Sequence, residues 1–213
     1  MTTSISQTAS SFGNSPKPLV GSTVAVALAA WLGLVLLLGA SGTYLGAPGQ
    51  PPLRIFVGAA APLILFALAM RWSHAFREYV LALDIHLIVA IQGWRFAGFG
   101  FIALYANHVL PGLFAWPAGL GDMAIGIVAP LWAVALVRNP QLAASARFRL
   151  WNALGILDFV IAFTTATICA MTITDAGAPS IAPVGQLPLV LVPEFMVPLF
   201  VMLHVIALMK RNN

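Results

Sequence analysis

The chain has 213 residues, of which 61% are apolar and only 8% are charged, against about 25% charged in an ordinary soluble domain. Its mean hydropathy is +0.96, which excludes both a soluble globular protein and a disordered chain. The composition therefore predicts a polytopic membrane protein. Its net charge of +4 is explained by membrane topology, so we expect no nucleic-acid partner and a lipid bilayer as the main one.

Six segments approach the roughly 20 apolar residues that a membrane-spanning helix needs. In chain order we predict spans at residues 20–45, 54–70, 86–108, 113–137, 150–172 and 188–209. Together they predict an all-α bundle over residues 19–209. The Ser/Thr-rich residues 1–18 show no apolar period and predict a disordered cytoplasmic tail, whereas residues 210–213 form a basic cytoplasmic end.

The distribution of Lys and Arg predicts the orientation of the bundle. If the N-terminus is cytoplasmic, the cytoplasmic side holds eight of the ten basic residues: Lys17, Arg71, Arg77, Arg138, Arg147, Arg149, Lys210 and Arg211. Arg54 lies on the outer side, and Arg95 lies inside a span. This bias predicts both termini in the cytoplasm, and we expect the bundle to lie in the plasma (inner) membrane.

Three ionisable residues lie deep inside the predicted spans, namely Arg95, Asp122 and Asp158. A charge in hydrocarbon costs roughly 2.5–3.5 kcal/mol on insertion scales, so these side chains should face the bundle interior and find partners. Counting about 1.5 Å per residue, Arg95 and Asp158 lie at nearly equal depth, with Asp122 somewhat further out. The sequence predicts that Arg95 pairs with Asp158, with Asp122 or with both.

Further polar residues extend this predicted core. Gln92 shares a helix face with Arg95, and Asn152 precedes Asp158 in span 5. Small residues such as Gly119 and Gly155 lie on the same faces as the acids and predict close helix packing.

The last span carries Pro188, Pro193 and Pro198, and each interior proline frees a backbone carbonyl. Such a bent helix can line a cavity. We expect Glu194 near the outer surface and His204 near the cytoplasmic surface, at the two mouths of a pathway.

One arginine facing two deep aspartates leaves one negative charge unbalanced, as is typical of proton- or ion-coupled transport. Our first hypothesis is a small coupled transporter or permease in which Asp122 or Asp158 carries the proton. A structural alternative is that the three charged residues only fix the register of the helices.

Two other hypotheses stay open. The chain lacks a complete catalytic set, which leans against an enzyme and favours an accessory or assembly subunit of a larger membrane complex, or a homo-oligomer. A b-type haem could be held by His86 and His204. Apart from that haem we predict no cofactor, no metal site and no catalytic residue.

Three motifs resemble those of a group of small bacterial polytopic membrane proteins. They are Gln92–Arg95, Pro117–Asp122 and Trp151–Asp158, accompanied by the proline-rich last span that ends in His204. The resemblance covers roughly residues 86–209. It implies a bacterial membrane setting and no particular chemistry.

Overall fold

The computed structural model describes residues 17–175 and 177–210, where the chain is all-α and contains no β-strand. Six helices are long and apolar enough to cross a membrane, and we number them spans 1 to 6: Leu19–Ala40, Leu53–Trp72, Ile85–Ala106, Gly112–Arg138, Ala146–Thr172 and Val192–Lys210. The predicted all-α bundle of six spans is therefore confirmed, and the protein is an integral membrane protein. Residues 1–16 of the predicted tail and 211–213 of the predicted basic end lie outside the described residues.

Two span ends differ from the prediction because of local capping. Span 1 ends at Ala40 rather than at residue 45. Gly42, two residues beyond the helix end, adopts a positive φ of 71°. The N–H of Thr43 donates to the carbonyl of Leu38 at 3.1 Å, which closes the helix end. Span 5 begins at Ala146 rather than at residue 150, because the Ser145 hydroxyl accepts the N–H of Phe148 at 3.2 Å and caps the helix.

Span 3 is not the continuous α-helix that the sequence predicts. Between its α-helical ends, residues Gln92–Gly98 form a 3-10 helix. A short helix, His74–Ala82, precedes the span and was not predicted as a separate element. Because a 3-10 helix is narrower and longer per residue than an α-helix, it changes which side chains face inward.

Glycines bring the 3-10 segment of span 3 close to span 4. A Cβ at Gly119 would lie 3.0 Å from the Gly98 carbonyl oxygen, and one at Gly126 would lie 2.9 Å from the Arg95 carbonyl carbon. The two backbones therefore touch, as the predicted small-residue faces imply. This contact places the backbone of Arg95 directly beside span 4.

Span 6 occupies the centre of the bundle. In the most apolar 18-residue stretch of span 6, 50% of the residues are buried within the protein, against 6% in span 2. It starts at Val192, not at residue 188, with a π-helical turn over Val192–Met196 that precedes the α-helix Val197–Lys210. Pro193 lies within this turn, and Pro198 lies two residues beyond it. Neither proline can donate the backbone hydrogen bond of a regular helix.

Apolar packing divides into two cores. The larger one joins the short helix His74–Ala82 to spans 3 to 6 and includes Trp151, Phe159 and Phe200. The smaller one contains Phe101 and Phe114. The smaller core lies on the side of the bundle that carries connections 41–52, 107–111 and 173–191, which we call the Tyr44 side.

Candidate functional site

Arg95 is the centre of a buried polar cluster. It lies in the 3-10 segment of span 3 and is 2% exposed. Its Nε donates to Oδ1 of Asp122 at 2.7 Å, and its Nη2 donates to Oδ2 of Asp158 at 2.5 Å. One guanidinium thus joins spans 3, 4 and 5. Of the pairings that the sequence left open, Arg95 makes both.

Glycines make room for both carboxylates. A Cβ at Gly121 would overlap the carboxylate of Asp158, and one at Gly98 would overlap Cβ of Asp122. The two acids can therefore approach the same guanidinium from neighbouring spans. When both are ionised, two negative charges face a single positive one.

The structure places His204 inside this cluster and not at a cytoplasmic mouth. His204 is 0% exposed, and its Nε2 lies 3.0 Å from Nη1 of Arg95. Because an arginine N–H can only donate, Nε2 is the acceptor and the ring proton is on Nδ1. Nδ1 then donates to Oδ1 of Asn152 at 2.9 Å, and Asn152 Nδ2 donates to the Phe148 carbonyl at 2.8 Å. Arg95, Asp122, Asp158, His204 and Asn152 form what we call the Arg95 cluster.

Aromatic and backbone groups complete the surroundings of Arg95. Its Nη1 also donates to the carbonyl of Gly155 at 3.1 Å, and its Cζ lies 4.0 Å from the ring centroid of Phe159. Gln92 lies beside the cluster and donates from Nε2 to the Phe200 carbonyl at 3.2 Å. Four of the five guanidinium N–H groups therefore have a hydrogen-bond partner among the described residues.

The predicted haem ligands do not fit a haem. Both ring nitrogens of His204 are hydrogen-bonded, one to Arg95 and one to Asn152, so neither has a lone pair free for iron. Nδ1 of His86 lies 2.6 Å from Asp84, and its Nε2 has no hydrogen-bond partner among the described residues, so only His86 of the two has a free nitrogen. The arrangement provides no pair of free axial ligands.

Glu194 is a third buried acid, separate from the two in the Arg95 cluster. It is 0% exposed, and among the described residues neither carboxylate oxygen has a hydrogen-bond partner. A Cβ at Gly58 of span 2 would overlap the carboxyl group, so Glu194 of span 6 packs directly on that backbone. The structure therefore buries Glu194 between spans 2 and 6.

Tyr44 lies next to Glu194 in the connection between spans 1 and 2. Burial raises the pKa of Tyr44 to about 12, and the neighbouring Glu194 carboxylate contributes a smaller part of that shift. Tyr44 is 6% exposed, and a Cβ at Gly185 would lie 2.9 Å from its carbonyl oxygen. The connection 41–52 is thus packed against the segment before span 6.

Two cavities lead to the Arg95 cluster. The larger, about 140 Å³, extends from connections 41–52 and 173–191 to Asp122, and it is lined mainly by apolar side chains of spans 3 to 6. The smaller, about 110 Å³, is lined by both Arg95 and Asp122. Asp122 is therefore the carboxylate that joins the cluster to accessible space on the Tyr44 side.

Several residues of the site carry no clear sequence signal. The Phe159 ring lies over Arg95, although Phe159 is one of many phenylalanines in the spans. The carbonyl of Gly155 accepts from Arg95, and its residue type indicated only close packing. Gly155 lies three residues before Asp158, and this spacing is the feature that could have indicated the contact.

A six-span bundle with a buried charged cluster defines the class of this protein as a multi-pass membrane protein. The profile of one family, described as a domain of unknown function (DUF8737), matches residues 52–210, and the chain belongs to this family. The match covers spans 2 to 6 and every residue of the Arg95 cluster. No curated protein and no solved structure matches the chain.

Proposed function

We propose that the protein is a small proton-coupled transporter in which Asp122 binds and releases the proton. It would reside in a bacterial inner membrane with both termini in the cytoplasm, as the bias of basic residues predicts. The observation that carries the proposal is the position of Asp122, which both binds Arg95 at 2.7 Å and lines the two cavities.

The charges of the cluster support this role. His204 accepts a hydrogen bond from Arg95 and is therefore neutral, so two carboxylates share a single positive charge. Asp122 lines both of the cavities described above, whereas Asp158 packs on the backbone of Gly121 and lines neither of them. A proton arriving through the cavity would reach Asp122 first and would remove the excess negative charge.

Protonation of Asp122 has a structural consequence. It weakens the charge-assisted bond to Nε and leaves the guanidinium paired with Asp158. The 3-10 segment Gln92–Gly98 is the element that this change would act on, because 3-10 and α windings interconvert with small shifts. Rewinding seven residues from a rise of about 2.0 Å to about 1.5 Å shortens a segment by about 3.5 Å. Such a shift would move Arg95 along span 4.

The test uses the purified full-length protein in liposomes with a trapped pH-sensitive dye. An inside-acidic gradient is imposed, and a panel of amines, amino acids and organic acids is added outside. We expect at least one class to collapse the gradient faster in wild-type proteoliposomes than in protein-free liposomes, where amines and acids cross only passively. Asp122→Asn should abolish this response, because asparagine keeps the shape and cannot bind a proton at neutral pH.

The matched control is Asp175→Asn, which neutralises an exposed acid in the connection before span 6. This variant should transport like wild type. If no solute moves the proton gradient, and Asp122→Asn leaves every cellular phenotype intact, coupled transport is wrong. A partner that copurifies in fixed stoichiometry with a transport-inactive protein would instead support the accessory-subunit hypothesis.

A further inference from the structure

The larger cavity combines an apolar wall with a single charged end. Four phenylalanines line it, namely Phe101, Phe114, Phe159 and Phe163. Of the lining residues within the described part of the chain, Asp122 alone carries a charge. Aromatic faces bind other rings by stacking or by edge contacts, so the wall suits a flat apolar group.

The free side of Asp122 suits a cation. Its Oδ1 accepts from Arg95, and no hydrogen bond reaches its Oδ2 from the residues that the structure describes. The Arg95 cluster carries one excess negative charge when both acids are ionised, because His204 is neutral. An ammonium group can donate three hydrogen bonds and would balance that charge.

The size of the cavity limits the apolar part of the ligand. Its volume is about 140 Å³. An engineered protein cavity of about 150 Å³, lined by Leu, Ile and Phe, stays dry and binds benzene. The space at the Phe wall therefore fits one six-membered ring, and a short chain can carry its charged group to Asp122.

We propose that this cavity binds a small monocyclic arylalkyl amine as its ammonium cation, with the ring on the phenylalanine wall and the ammonium on Asp122. This inference rests on the proposed function, since it names the substrate class for the same site. The ligand would enter from the Tyr44 side, where connections 41–52 and 173–191 contribute to the cavity lining. Binding places the cation where a proton would otherwise be held, so the two compete for Asp122.

The first test compares ligands on the unmodified protein in mild detergent. The protein is mixed with increasing concentrations of one of three compounds: 2-phenylethylamine, ethylbenzene or methylammonium. Its heat capacity or thermal unfolding is recorded at each concentration. We expect 2-phenylethylamine to raise the unfolding temperature in a saturable way and to bind at least about tenfold more tightly than ethylbenzene, a difference of about 1.4 kcal/mol. Methylammonium, which has the charge but no ring, should have no effect. Equal binding of the amine and the hydrocarbon, or no binding of either, overturns the proposal.

Two variants locate the binding site. Asp122→Asn should lower the affinity for the amine at least tenfold and leave ethylbenzene binding unchanged, which also shows that the cavity is intact. Ala166→Phe places a ring inside the cavity and should abolish binding of both compounds. Its matched control is Ala153→Phe on the exposed face of the same span, which should bind both normally. If Ala166→Phe binds the amine like wild type, the ligand lies elsewhere and the proposal is wrong.

The binding and transport experiments fail independently. Amine binding without any effect on a proton gradient would contradict the transporter and preserve the site. Proton-coupled movement of another solute, without amine binding, would preserve the transporter and overturn the ligand class. Mass spectrometry of the purified protein adds a third outcome. A tightly bound lipid that the amine does not displace would show that an acyl chain fills the cavity. That result would overturn the proposal.

Discussion

Nε2 of His204 lies 3.0 Å from Nη1 of Arg95, so the last span is hydrogen-bonded directly to the arginine of span 3. This contact orients the imidazole, because Nε2 must accept and Nδ1 must donate to Asn152. The histidine therefore acts as a neutral link between the guanidinium and span 5. It extends the charged triad of Arg95, Asp122 and Asp158 into a network that joins four spans.

The link predicts a specific cost for removing Asn152. Asn152→Leu leaves the Nδ1 proton of His204 buried without an acceptor, and an unsatisfied buried donor costs about 1–3 kcal/mol. We expect the free energy of unfolding in mild detergent to fall by that amount. Asn107→Leu is the matched control, because Asn107 makes the same bond to the carbonyl four residues back, at 2.8 Å, on an exposed helix end. Equal losses in the two variants would contradict the role of Asn152 as the histidine acceptor.

The depth of a charged residue could be predicted from the sequence more reliably than its contacts. Counting along regular helices predicted Arg95 near Asp158, and the two bind at 2.5 Å. The same count predicted His204 near the cytoplasmic surface. Such a count gives the depth of each backbone position and ignores how far the long side chain of Arg95 reaches. Arg95 extends to Gly155, one helical turn before Asp158, and there it meets His204.

Irregular helix winding was not predictable for a related reason. The 3-10 segment Gln92–Gly98 lies in backbone contact with Gly126 of the neighbouring span, and no local pattern specifies that contact. The π-helical turn Val192–Met196 is different, since prolines in its vicinity did predict a bent span 6 lining a cavity. Local chemistry therefore indicated one irregularity, and tertiary packing produced the other.

Neutralising the charged triad should show which carboxylate depends on Arg95. Arg95→Met leaves both acids without their partner, and breaking a buried pair in this way costs about 3–5 kcal/mol. Adding Asp158→Leu should recover only part of the loss, because Asp122 still lacks Arg95. Further addition of Asp122→Asn should recover most of the remainder. Chemical unfolding in detergent measures each step.

The order of recovery is the critical result of this series. If Arg95→Met with Asp158→Leu is already as stable as wild type, Asp122 does not need the arginine, and the shared pairing is wrong. If all three variants are equally unstable, the polar cluster itself holds the bundle together. The structural alternative to transport would then be favoured.

Glycines beside the cluster should tolerate no side chain. Gly155→Ala would push a methyl group into the His204 ring, with Arg95 Nη1 only 3.1 Å away. Overpacking of this kind costs about 1–3 kcal/mol, so we expect a clear fall in unfolding temperature. Gly33→Ala is the matched control in span 1, where nothing lies within 4 Å of the added Cβ. Gly33→Ala should be neutral or stabilising by up to about 1 kcal/mol, since alanine favours a helix. A stable Gly155→Ala variant would mean that span 6 packs less closely on span 5.

The orientation of the bundle can be measured with cysteine labelling. Cys169 is the sole cysteine and is buried, so Cys169→Ala provides a background without reactive thiols. In that background, Ala47→Cys marks the Tyr44 side, and Gln141→Cys marks the connection between spans 4 and 5; both positions are exposed. Because the basic residues are expected in the cytoplasm, an impermeant maleimide should label Ala47→Cys in intact cells and Gln141→Cys only after lysis. The reverse pattern would place both termini outside.

Tyr44 predicts how stability changes at high pH. Burial raises the pKa of Tyr44 from 10.0 to about 12, so the folded protein favours the neutral phenol. The resulting stabilisation is fully present below pH 10 and is lost as the pH rises through about 12. We expect the free energy of unfolding to fall across this interval and the fall to be smaller in Tyr44→Phe. Parallel losses of stability in wild type and Tyr44→Phe would mean that another group titrates. They would also mean that the Tyr44 side chain is not buried beside Glu194.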